Sequence, residues 1–202
     1  GRKVTSKEKK ITIEEDLDAL QSFYDKQTDD IKKLEILLIL IPTRTDYSRQ
    51  NFSQYCMPRN LWVENFENLQ EFFKIIKNKK NNLNNVKTFQ KDGDMFYKDQ
   101  TIFEFSPHFD GLDNELNKAL KAFDGATPEY SERMKDYSSM IKLSDEAYTF
   151  FKTSEDKTQA TKFAFKKLEY IYYVPDRLLQ KIQAAATERN IPSKGEYYQE
   201  TN

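Results

Sequence analysis

Apolar side chains recur every three or four residues along most of this chain, and this spacing constrains its fold more than any other feature. Residues at that interval lie on one face of an α-helix. Glycine and proline are scarce, with five and six among 202 residues, so the frequent tight turns of a β-sandwich or barrel are missing. The pattern predicts an all-α fold, an irregular helical bundle or solenoid-like arm of about seven helices with one long Asn/Lys-rich loop.

The composition divides the chain into five segments. In the first helical part, the second helix is predicted to stop at Pro42, because proline has no N–H to continue the ladder. In the second helical part, one helix is predicted to begin after Pro107 and Asp110, and the last helix is predicted to begin at Asp176. The segments are a disordered or frayed end over 1–10, helices over 11–77, a loop over 78–105, helices over 106–190 and a loop over 191–202.

Charge and reactive residues exclude several function classes. Lys and Arg number 32 against 33 Asp and Glu, so the net charge gives no reason to infer nucleic-acid binding. Cys56 is the single cysteine and His108 the single histidine, which predicts no disulfide, no metal site, no cofactor and no catalytic residues. The longest apolar run, 34–42, is about half the length that crosses a bilayer, so it predicts a buried helix turn.

A lysine cluster is the one local charge feature. It is interleaved with Phe89, Phe96 and Tyr97, and cations that bind phosphates beside rings that stack on bases are typical of an RNA or ribosome contact. The alternative is a solvated, lysine-rich loop. From Met95 to Phe105 the aromatic residues are dense, which is consistent with either a short strand or a docked loop. The candidate contacts are Lys74, Lys77, Lys79, Lys80, Lys87 and Lys91.

Tyrosines crowd the C-terminal third of the chain. Such rings are enriched where a helical face meets a partner protein, and they equally serve to pack helices of one chain together. The candidates for a protein interface are Tyr170, Tyr172, Tyr173, Tyr197 and Tyr198.

Five sequence blocks follow one another along nearly the whole chain. The blocks are LILIPTRTDYS (38–48), MPRNLW (57–62), LDNELNKALKAFDGATPEYSERMKD (112–136), KKLEYIYY (166–173) and DRLLQKIQAAA (176–186). In this order they resemble the C subunit of the eukaryotic translation initiation factor three complex, in the helical region before its C-terminal helical-repeat and winged-helix domain.

The resemblance implies a non-catalytic scaffold segment in the cytoplasm. Its partners would be other subunits of the factor, chiefly the A subunit, the rRNA and proteins of the small ribosomal subunit, and other initiation factors, during preinitiation complex assembly and mRNA recruitment. It implies no membrane, no cofactor and no small-molecule substrate. The alternatives are a helical scaffold subunit of the proteasome lid or the signalosome, and an enzyme with an unrecognised site.

Overall fold

A computed structural model describes residues 6–52, 55–79, 88–89, 95–96 and 99–172, and it confirms the all-α fold. The described residues form six helices and one two-residue ladder, and the seventh predicted helix, from Asp176, lies outside them. The chain divides into two compact units, residues 1–115 and residues 116–202, called here the first and second units. The elements are α1 (Ser6–Lys26), α2 (Asp30–Asn51), α3 (Arg59–Lys79), β1 (Thr88–Phe89), β2 (Met95–Phe96), α4 (Asp99–Ala122), α5 (Pro128–Thr153) and α6 (Lys157–Tyr172).

Helix α2 runs through Pro42 to Asn51, so the predicted stop at Pro42 is wrong. The buried positions continue at helical spacing, but after the proline they carry the polar residues Arg44 and Ser48. The Thr43 and Thr45 hydroxyls donate to backbone carbonyls four residues earlier, at 2.7 and 2.9 Å. Pro42 removes one backbone hydrogen bond from α2. The helix tolerates this loss because it packs against both α1 and α3.

Two helix starts also differ from prediction. Helix α1 begins at Ser6, inside the segment expected to fray, where Lys and Glu have high helix propensity. Helix α4 begins at Asp99 and contains Pro107, so residues 99–105 are helical and not part of a loop. The predicted domain boundaries around 77 and 106 stay a prediction, and residues 53–54 and most of the loop over 78–105 lie outside the described part of the chain.

The first unit has its apolar core along α3. Trp62, Phe66, Leu69, Phe73 and Ile76 are all buried there. The Trp62 Nε1 donates to the Leu112 carbonyl at 2.9 Å, and the Phe73 ring stacks on Phe105 with centroids 4.7 Å apart. These contacts dock α4 against α3. The two strands pair in antiparallel fashion, Thr88 with Phe96 and Phe89 with Met95, so the start of the aromatic stretch forms a short strand.

The second unit is built around the packing of α6 on α5. The Thr127 side chain accepts from the Tyr130 backbone N–H and Pro128 occupies the first turn of α5. Between the helices, Glu155 has φ 60°, and the Asp156 N–H donates to the Phe151 carbonyl at 3.1 Å, which closes the end of α5.

Candidate functional site

The predicted lysine cluster is described in part. Lys74 is exposed on α3, but its Nζ lies 3.0 Å from the Glu71 carboxylate. The Nζ of Lys77 lies 5.2 Å from the centroid of the Phe73 ring. The side chain of Lys79 and all of Lys80, Lys87 and Lys91 lie outside the described residues, so an RNA contact stays a prediction.

The tyrosines have two different environments. Tyr170 is buried and packs edge-on against Tyr137 with centroids 5.2 Å apart, so it holds α6 on α5. Tyr172 is 73% exposed near the end of α6 and stays a candidate for a partner contact. Tyr173, Tyr197 and Tyr198 lie outside the described residues.

Helix α6 carries a second apolar face that the sequence did not separate from its buried face. Phe165, Leu168 and Tyr172 are spaced by three and four residues, which places them on one side of the helix, and each is more than half exposed. Phe163 and Tyr170 are buried on the packed side. We call the three exposed residues the α6 stripe. The sequence did not predict this exposure, because apolar residues occur on two faces of α6 and their spacing does not tell which face is buried.

Arg44, in the LIPTR segment, joins all three helices at the start of the chain. Its Nη1 donates to Asn65 Oδ1 at 3.1 Å, its Nη2 donates to Gln21 Oε1 at 3.0 Å, and its Nε lies 3.2 Å from Glu64 Oε2. The Asn65 amide in turn donates to the Ile41 carbonyl at 3.2 Å. Burial lowers the pKa of the Arg44 guanidinium and Glu64 raises it, but guanidinium stays protonated at neutral pH.

A cleft of about 500 Å³ opens beside Arg44, between α1, α2 and α3. Carboxylates from α1 and α3 line it, and Tyr47 of α2 lies beside Glu14 and Asp18. Burial raises the pKa of the Tyr47 phenol, and the Glu14 carboxylate, which accepts its hydrogen bond, raises it further together with Asp18. The first-unit cleft was not predicted from the sequence, because its members come from three separate helices.

The two most reactive side chains form no site that the structure supports. The Nε2 atom of His108 is buried, has no hydrogen-bond partner among the described residues, and burial lowers the pKa of the ring to about 4. Cys56 is partly exposed. Within the described ranges, no group of three acidic, histidine or cysteine side chains could hold a metal ion. No described helix is long and apolar enough to cross a membrane.

Comparison with known proteins identifies relatives along the entire chain. The family described as eukaryotic translation initiation factor 3 subunit 8 N-terminus matches residues 1–202. The C subunit of eukaryotic translation initiation factor 3 from Aspergillus fumigatus is 23% identical over 96% of this chain and 23% of its own length. The Candida albicans protein of the same name is 28% identical over 78% of this chain and 19% of its own length.

The Dictyostelium discoideum protein of that name is also 28% identical, over 37% of the chain and 8% of its own length. The chain thus spans less than a quarter of the length of the curated relatives that it matches. Because the family profile covers every residue and the curated relatives share one name, this chain belongs to the family of the C subunit of eukaryotic translation initiation factor 3.

Proposed function

We propose that this chain is a non-catalytic scaffold segment that packs against other subunits of the initiation factor, chiefly the A subunit, in the cytoplasm. The single observation that carries this proposal is the α6 stripe, where Phe165, Leu168 and Tyr172 expose large apolar side chains on one helical face. Exposed apolar patches mark protein interaction sites, and a neighbouring amphipathic helix is the partner that such a straight stripe fits.

Membership of the family supports an assembly role, because the relatives are named as a subunit of a larger factor. The buried, uncharged His108 supports the non-catalytic part, because a proton-transfer group has to reach its substrate. Through this packing, the segment would help the factor to assemble on the small ribosomal subunit and to recruit mRNA.

Copurification of the full-length protein from cells tests the scaffold role. The double substitution Phe165→Ser with Leu168→Ser removes the apolar face, and recovery of the A subunit should fall at least roughly fivefold, as for loss of a central interface contact. The matched control is Phe23→Ser on α1, which is 60% exposed and should leave recovery unchanged. Unchanged recovery with the double variant would contradict the proposal, as would recovery of proteasome-lid or signalosome subunits with the unsubstituted protein.

We propose the ribosome contact for the lysine cluster, because cations that bind phosphates are interleaved there with aromatic residues that can stack on bases. Replacing Lys77, Lys79, Lys80 and Lys87 by Ala should weaken binding to small ribosomal subunits and make the dependence of log K on log salt shallower, because fewer counterions are released. Binding measured across a salt series checks this. The control replaces Lys118, Lys121, Lys152 and Lys157 on other helices, and equal slopes for the two variants would exclude a specific contact.

A further inference from the structure

Among the residues that the structure describes, the lining of the first-unit cleft carries more negative than positive charge. Four carboxylates line it, from Glu14 and Asp18 on α1 and from Glu64 and Glu67 on α3. Arg44 is the only cation among the described lining residues, and it already engages Glu64 and two amide oxygens. Within the described residues, Glu14, Asp18 and Glu67 have no ion-pair partner.

The spacing of these carboxylates is unfavourable in the absence of a ligand. Glu14 and Asp18 are four residues apart, and Glu64 and Glu67 are three apart, so each pair lies on one face of its helix. Like charges at these intervals destabilise a helix, and the two faces meet across the same cleft. A cation bound between them would relieve both repulsions.

A second feature of the cleft is independent of charge. Asn68 lines the cleft, only 8% of its surface is exposed, and its Nδ2 is buried with no hydrogen-bond acceptor among the described residues. An unpaired buried donor costs free energy, and the great majority of buried polar atoms are hydrogen-bonded. The amide therefore offers a hydrogen bond to a ligand that carries an acceptor, such as a peptide carbonyl.

The remaining lining residues define the shape of the ligand. Leu17 and Leu61 provide apolar surface beside the carboxylates, and Tyr47 and Phe52 provide aromatic rings. A long aliphatic stem with a cationic head matches this combination, since the stem packs on apolar surface while the head reaches the carboxylates. Aromatic rings also attract guanidinium groups.

We infer that the first-unit cleft, between α1, α2 and α3, binds an arginine- or lysine-rich segment of a partner protein. The basic side chains of that segment would pair with Glu14, Asp18 and Glu67, and one of its backbone carbonyls would accept a hydrogen bond from the Asn68 amide. A nucleic acid does not fit, because the carboxylates repel phosphate groups. The inference goes beyond the α6 interface and does not depend on it, since the cleft belongs to residues 1–115 and is tested by direct binding.

Fluorescence anisotropy of the full 202-residue chain with a short, labelled Arg-Ser repeat peptide tests the site. The cleft variant is Glu14→Gln with Glu67→Gln. The matched control is Glu15→Gln with Asp16→Asn, which removes the same number of charges from exposed positions of α1 that do not line the cleft. The peptide should bind the unsubstituted chain, and the cleft variant should weaken it at least roughly fivefold more than the control does.

A second variant separates a ligand contact from a structural role. Asn68→Leu removes the unpaired donor at similar size, so it should weaken peptide binding while Tm stays equal or rises. A fall in Tm with unchanged affinity would mean that Asn68 only supports the fold and would overturn its assignment.

Three further outcomes would overturn the inference as a whole. They are equal weakening by the cleft and control variants, equal binding of a Gln-Ser repeat peptide, and a cleft variant that weakens binding of a uridine oligonucleotide while binding of the basic peptide is unchanged. Because copurification through α6 is measured separately, failure here leaves the scaffold proposal intact, and the reverse also holds.

Discussion

The contact between α2 and α3 and the contact between α5 and α6 hold helices together in opposite ways. In the first unit, Arg44 donates to side chains of α1 and α3, and Asn65 returns a bond to the α2 backbone. In the second unit, Phe151 stacks on Phe163 with centroids 5.5 Å apart, and Tyr137 meets Tyr170 edge-on. A polar network depends on each donor finding its acceptor, whereas aromatic packing depends on filled volume. The two contacts should therefore fail under different substitutions.

The largest expected effect is loss of volume between α5 and α6. Phe163→Ala should lower the free energy of unfolding by about 3–5 kcal/mol, because it leaves a cavity against the Phe151 ring. Urea denaturation followed by circular dichroism measures this. Phe165→Ala on the exposed side of the same helix should change it by less than about 0.5 kcal/mol. Equal losses for the two variants would show that Phe163 does not anchor the helix.

The polar contact should be nearly as sensitive, but to chemistry and not to size. Arg44→Met keeps much of the volume and leaves the Asn65 and Gln21 oxygens without their donor, so unfolding should become easier by about 2–4 kcal/mol. Arg44→Lys should recover less than half of this loss, because one ammonium cannot reach three acceptors in the same geometry.

Fluorescence of Trp62, the single tryptophan, reports unfolding of the first unit in this experiment. The control is Arg49→Met, whose exposed guanidinium lies 3.8 Å from Asp46 and should contribute less than about 0.5 kcal/mol. Full rescue by Lys at position 44 would argue that only charge matters there.

The pH dependence of stability should also differ between the two units, because the single histidine of the sequence belongs to the first unit. Burial lowers the pKa of His108 to about 4 from 6.5, so the unfolded state binds more protons between these values. The free energy of unfolding therefore rises with pH across this window. The contribution is complete above pH 6.5 and is lost as the pH falls to about 4, by up to about 3 kcal/mol.

Denaturation of the unsubstituted chain and of His108→Gln at several pH values between 4 and 7 measures this contribution. The variant should have a shallower dependence on pH, whatever its stability at neutral pH. Parallel pH profiles would contradict the burial of the uncharged ring.

The smallest expected effect concerns the turn between α5 and α6. Glu155 has φ 60°, a region that costs an L-residue energy and suits glycine. Glu155→Gly should stabilise the chain by about 0.5–1 kcal/mol, measured as a rise in Tm. Glu146→Gly in the middle of α5 serves as the opposite control and should destabilise by a similar amount. A loss of stability at position 155 would show that the side chain contributes more than the backbone strain costs.

Most of the helices could be predicted from the chain because their buried residues are apolar and recur at helical spacing. The stripe of α3 and the Thr127-Pro128 start of α5 are examples. Prediction failed at Pro42, where the buried face continues with Arg44 and Ser48. A polar residue at a buried position breaks the apolar pattern, and its partners lie on other helices, so local sequence carries no record of them. The first-unit cleft could not be predicted from the sequence for the same reason, because its lining residues come from three helices.

The sequence by itself determined the all-α fold and the family, because helical spacing is a local property and the ordered blocks span nearly the whole chain. Only the tertiary structure decided that Tyr170 packs inside while Phe165, Leu168 and Tyr172 are exposed, and that carboxylates of α1 and α3 share one cleft. Which side of an amphipathic helix is covered depends on neighbours distant in the sequence. Periodicity identifies a helix and its faces, but contacts between helices decide which face is left for a partner.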